Sequence, residues 1–154
     1  MYLPNNEVLK ILGYRIAKEI VFVERRPEEK LYVYVLVNAF EDVMIHQSDR
    51  KSSLIKFAAH NWLIGMSHDF CKICEWALLD PEDIKNRYIL SLEKKIIKFT
   101  QRQVLWKHYH NVHTKIKSLA DKEKRRQKGT LRNLRIEALS SPTNFVTTLF
   151  LSTI

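Results

Sequence analysis

The spacing of apolar residues changes along this chain and divides it into three parts. Val8, Leu9, Ile11 and Leu12 recur as they would on one helix face, behind a capping Asn5 or Asn6, and Gly13 ends that short run. Residues 16–23 are mostly β-branched or aromatic, broken by Lys18 and Glu19. Residues 31–37 read Leu-Tyr-Val-Tyr-Val-Leu-Val, apolar on both faces at two-residue spacing, which predicts a strand covered on both sides. Arg25-Arg26-Pro27-Glu28-Glu29 lies between them as the wet, proline-bearing loop of a hairpin, and residues 43–46 supply a third short strand.

Helical spacing then takes over. Ser48 or Asp49 opens a helix carrying Leu54, Ile55, Phe57, Ala58, Trp62, Leu63 and Met66. Gly65 interrupts it, Ser67-His68-Asp69 restarts it, and Phe70, Ile73, Cys74, Ala77 and Leu78 continue the pattern. Asp80-Pro81-Glu82-Asp83 is a strong helix start: a capping carboxylate, proline at the first helical position, and acids at the positive end of the dipole. Ile89, Leu92, Ile96, Phe99 and Trp106 then form a coiled-coil-like seam, with Gln103 in the skipped position. Neither Gly nor Pro intervenes from Lys85 until Gly129, which predicts one long helix. Unbroken from Pro81 to Lys128 it spans roughly 70 Å, so it protrudes or breaks near residues 108–113. Gly129 ends it. Leu131, Leu134, Ile136 and Leu139 make a last short helix before Ser140-Ser141-Pro142, and residues 144–154 are an apolar, Thr-rich strand-like tail.

The expected fold is therefore α+β: a small N-terminal antiparallel hairpin or sheet plus a helical hairpin with one long basic helix. At 154 residues the prior is a single domain, with a mixed, strand-rich part over 1–47, a helical hairpin over 48–128, and a short helix and apolar tail over 129–154.

Charge changes the picture more than length does. Residues 1–80 carry ten Lys/Arg and eleven Asp/Glu, and residues 81–154 carry sixteen and six. The net charges are −1 and +10, so the halves read as a neutral packing part and a basic binding part. The densest stretch is Lys115, Lys117, Lys122, Lys124, Arg125, Arg126, Lys128, Arg132 and Arg135. Lys and Arg neutralise phosphates and release counterions, which gives affinity without sequence specificity. Tyr88, Trp106 and Tyr109 interleave with the charge and are the aromatics available to stack on unpaired bases, although Trp106 also falls on the seam.

His68-x-x-Cys71-x-x-Cys74 has the ligand types of a zinc site, with His60 or the His108, His110, His113 cluster as the source of a fourth ligand. The helical pattern around both cysteines favours small buried hydrophobes instead, so no metal or other cofactor is expected. Two cysteines build no disulfide framework, which points to an intracellular protein of the cytoplasm or an organelle matrix. No stretch has the composition of a signal peptide or of an integral membrane segment.

Two short motifs carry possible chemistry. Arg102-Gln103-Val104-Leu105-Trp106-Lys107-His108 resembles the Arg-polar-x(4–6)-His motif of HEPN ribonucleases, helical proteins that often dimerise to cleave RNA without metal. The resemblance implies Arg102 as the group stabilising the phosphorane and His108 as the proton carrier. It covers seven residues, and the strand-rich part expected at the N-terminus does not belong to that bundle. His108-Tyr109-His110 is similar to the histidine-hydrophobic-histidine core of single-strand nickases, but the attacking tyrosine of those enzymes has no counterpart after Tyr109.

The function expected from all this is non-catalytic RNA binding within a ribonucleoprotein or ribosome-associated assembly, with RNA and protein partners. The alternatives are a structural or interaction subunit that is basic only for solvation, and the HEPN-like ribonuclease.

Overall fold

A computed structural model describes residues 6–141. They form seven α-helices: α1 (Asn6–Phe22), α2 (Pro27–Val43), α3 (Arg50–Ile64), α4 (His68–Trp76), α5 (Pro81–Glu93), α6 (Gln101–Ile116) and α7 (Asp121–Ser140). There is no strand among the described residues, 79% of which are helical. The expected α+β class and N-terminal sheet are thus overturned. The strand expected over 144–154 lies outside the described residues.

The hairpin expected over 16–37 is two helices, and α2 shows why. Its buried residues are Ala39 and the larger Val33, Leu36, Val37, Phe40 and Val43, which is helical spacing. Helix over strand costs its four valines about 0.6 kcal/mol each relative to alanine, roughly 2–3 kcal/mol in total. Burying five large side chains on one face returns about 10 kcal/mol, so packing decides. The presumed loop is the helix start. Pro27 occupies the first turn with Glu28 and Glu29, and the Glu29 carboxylate accepts the Arg26 backbone N–H at 2.9 Å.

Gly13 does break the first helical run, but the chain re-enters helix at once and α1 is kinked there. Gly13 sits at φ 82°, and a Cβ added to it would come within 2.9 Å of the Arg87 guanidinium.

The long basic helix is also corrected. It is three helices. α5 stops at Glu93 without glycine or proline: Lys95 takes the left-handed φ of 59°, and the Ile96 N–H reaches back to Ser91 O at 3.0 Å. That conformation costs a non-glycine residue about 1 kcal/mol. Burial of Ile97 and Phe99 just beyond the turn offsets it. The expected seam consequently fails at Ile96, which is 54% exposed. Thr100 then caps α6 in a reciprocal box with Gln103, and the α6–α7 break falls at residues 117–120. Gly129 ends nothing, since it lies inside α7.

The chain divides into two compact units. One comprises the described residues up to Met44 together with Ala58–Ile97, and the other Ile45–Phe57 together with the described residues from Lys98 on. In the first, α1 packs on α5 and α2, and α4 packs on α2 and α5. Arg25 is buried there. Its guanidinium donates to Glu19 O and Ile20 O at the end of α1 and to Ala77 O after α4, at 2.7–3.1 Å. The Tyr88 hydroxyl meets His60 Nδ1 at 2.5 Å, and burial raises the phenol pKa.

The second unit is built on the α6–α7 pair and a buried polar knot. Trp106, Tyr109 and Ala138 form the pair's small core, with Leu105, Leu131 and Leu134 packed against it. Arg102, on the first turn of α6, donates to Ser141 O at 2.8 Å and Leu139 O at 3.3 Å, so the pair is antiparallel. In the knot, the Lys56 ammonium donates to Ile45 O (2.8 Å), Lys98 O and Gln103 Oε1 (3.3 Å), and lies 4.5 Å from the Phe99 ring centroid. Gln103 Nε2 ties down Ile45 O and Gln47 O, and Ser48 bonds Thr100 at 2.9 Å.

Candidate nucleic-acid interface

The division into units sharpens the charge asymmetry. The first unit holds eleven Lys/Arg and thirteen Asp/Glu, net −2, and the second holds fifteen and four, net +11. These sum to the chain's +9. All of the surplus belongs to the α6–α7 unit.

α7 arranges most of it. Lys124, Gln127, Leu131, Leu134 and Ala138 follow the helical repeat and are the half-buried or buried positions. Lys124 thus stands at the polar end of the packed stripe and is half-buried there. Arg125, Lys128, Arg132 and Arg135 recur at spacings of three, four and three on the exposed side, covering about 15 Å of helix. Lys122 and Arg126 flank this row, and Lys115 and Lys117 stand at the end of α6; all four are exposed. Eight of the nine cations singled out from the sequence are therefore exposed and the ninth is half-buried. Arg126 alone among them has an ion pair within the described residues, with Glu123 at 4.0 Å. Asp121 and Glu123 sit in the first turn of α7, where the helix dipole favours them.

The aromatic candidates for base stacking are not available. Tyr88, Trp106 and Tyr109 are all at least nine-tenths buried, Tyr88 in the first unit and the other two in the α6–α7 core. Trp106 and Tyr109 meet edge to face at 5.5 Å.

The ribonuclease candidate pairs Arg102 with His108. The helical surroundings fit the ribonuclease resemblance better than the expected sheet did. The residues themselves do not converge. Arg102 spends its guanidinium on the carbonyl end of α7, a cation at the negative end of a helix. His108 is exposed, and six residues on a helix place it about 120° around α6 from Arg102.

The cysteine motif lies in the first unit. His68 opens α4 on the surface, Cys71 is half-buried and Cys74 fully buried, and both thiols are free. Burial and the neighbouring Cys71, Asp80 and Glu75 push the Cys74 thiol up to about 12, so it packs as a small neutral side chain. His60 is engaged with Tyr88. No three His, Cys, Asp or Glu gather as a metal site among the described residues. Purified protein should carry no stoichiometric zinc by elemental analysis. About one zinc per chain, lost in Cys71→Ser, would overturn that expectation.

Arg50, Lys107, His110 and His113, none of them among the nine cations singled out from the sequence, form a second basic group with Lys117. Arg50, from the start of α3, places its guanidinium 4.7 Å from the Tyr109 ring centroid. The His113 ring stacks on Tyr109 at 6.1 Å and 19°. Lys107, His110, His113 and Lys117 follow one another along α6. The signal in the sequence is the spacing of three, three and four over Lys107, His110, His113 and Lys117.

No helix of the described residues is long and apolar enough to cross a membrane. The chain matches no protein-family profile, and neither a curated protein nor a solved structure is significantly similar to it.

Proposed function

We propose that this protein binds RNA without catalysis, through the phosphates, as a component of a ribonucleoprotein or ribosome-associated assembly inside the cell. The observation that carries this reading is the +11 unit whose α7 cations, Lys124 apart, are exposed and nearly unpaired. Cations that internal acids do not neutralise hold a counterion cloud, and releasing it to a polyanion favours binding. The buried aromatics leave little means of reading bases, so the expected mode is electrostatic and tolerant of sequence. Two free thiols fit a reducing compartment.

The test is purification from the native source with and without nuclease, followed by binding of labelled RNA across a salt series. RNA should co-purify. Six to eight phosphate contacts should give a slope of log affinity on log salt of about −4 to −6. Protein partners that survive nuclease, with no RNA, would favour a structural or interaction subunit instead. One observation supports that second reading: Leu31, Tyr34 and Val35 line a face of α2 that is apolar yet exposed.

A further inference from the structure

The basic row of α7 has a companion on α6. Lys107, His110, His113 and Lys117 recur along that helix, and Arg50 joins them from α3. Tyr109 organises the group, because the Arg50 guanidinium and the His113 ring both pack on its phenol ring. Arg50 and Lys117 are exposed, and Lys107, His110 and His113 are half-buried, so water and ligands reach all five.

We propose that Arg50, Lys107, His110, His113 and Lys117 form a second phosphate-binding track for the same polynucleotide, one that strengthens as His110 takes up a proton. This rests on the RNA-binding reading and adds to it a site and a regulation by pH.

The electrostatics agree with the geometry. His110 is held below the ordinary imidazole range by partial burial first, and then by Lys107, Arg50, His113 and Lys117. Three of those four are cations on α6 or α3 and the other is the second histidine. No group of α7 is among the causes, and no carboxylate offsets them. Without a ligand, protonating His110 therefore adds charge to a crowded cationic cluster. A phosphodiester laid along the track removes that penalty. Binding then raises the imidazole pKa, takes up protons, and tightens as pH falls.

The experiment is the affinity of wild-type protein for labelled oligouridine RNA at constant salt, at about pH 8 and about pH 5.5, on either side of imidazole titration. The ratio of the two affinities is the readout. Uptake of up to one proton by His110 should give wild type a ratio of about fivefold. His110→Gln with His113→Gln should reduce this to about twofold, since Gln keeps helix propensity and cannot titrate. His68→Gln, at a surface histidine of the other unit, should keep the wild-type ratio. Circular dichroism at both pH values screens each variant for folding. If the double glutamine variant misfolds, Lys107→Gln with Lys117→Gln serves as the second probe. It should weaken binding by about tenfold at pH 8 and raise the His110 pKa seen by NMR.

A wild-type ratio near one, or a wild-type ratio kept in the folded double glutamine variant, overturns the track. The failure of the parent reading looks different: RNA then fails to bind at either pH, even at low salt.

Discussion

Replacing Lys124, Arg125, Arg126 and Lys128 by glutamine is expected to flatten the salt dependence of RNA binding by roughly 3 in slope, since each lost phosphate contact removes about 0.7. Three of these residues are exposed and Lys124 is half-buried. The first half of α7 contains no buried residue, so the substitutions remove charge while leaving the core of Trp106, Tyr109 and Ala138 intact. Glutamine has nearly the helix propensity of lysine and arginine. The Arg126–Glu123 pair that is lost is an exposed contact at 4.0 Å and worth little. The comparison therefore isolates the long-range charge.

Two further features of the result decide between readings. The weakening should be similar for unrelated RNA sequences, because phosphate contacts position a nucleic acid without specifying it. It should also leave the pH ratio at its wild-type value, because the histidines sit on α6. If the folded quadruple variant binds RNA with unchanged affinity and slope, the α7 row is a solvated helix face. The apolar face of α2 then becomes the better guide to function.

The helices after residue 47 are legible in the sequence wherever a cap announces them. Ser67 accepts the Phe70 N–H and Asp80 the Glu82 N–H, as their position before apolar periodic runs suggested. In residues 16–43 two signals disagree. The valines and tyrosines of 31–37 favour strand, whereas Pro27-Glu28-Glu29 opens a helix, and a proline beside charges also suits a loop. The helical face is visible only when the spacing extends to Phe40 and Val43. The break at Lys95 was harder to see. A helix that ends on a left-handed lysine carries no glycine to mark it, and only the capping box Thr100-x-x-Gln103 advertised the restart. The α7 cations were visible directly, since charge on a glycine-poor, alanine-poor helix has nowhere to hide. Arg50 was not, because nothing local links residue 50 to residue 109; that contact depends on the knot that holds α3 against the start of α6.

That knot should show itself in stability. Lys56→Ala is expected to cost about 3 kcal/mol, from a lost buried stem, a cavity, and three acceptors deprived of their donor. Lys56→Met should cost less, about 1 kcal/mol, because it refills the space and removes the burden of burying a charge. The charged form does pay such a burden: burial brings the Lys56 pKa from 10.5 down to about 8. Above pH 8 the folded chain gives up this proton while the unfolded chain still holds it. Stability from this group is therefore fully present above 10.5 and lost as pH falls through about 8. From pH 8 to pH 9 the gain is about 1 kcal/mol. Cys74 and Tyr88 act in the opposite sense. Their folded values are raised, from 9.0 to about 12 and upward from 10.0, so each contributes stability that is lost as pH rises beyond 9 and 10 respectively. Denaturant unfolding of wild type should thus show stability rising between pH 8 and 9 and levelling or falling beyond. Lys56→Met should lack the rise and keep the later fall. A wild-type profile that is flat from pH 8 to 9, or a Lys56→Met profile that keeps the rise, would mean that the Lys56 ammonium is held by its carbonyl and ring contacts strongly enough to cancel the effect of burial.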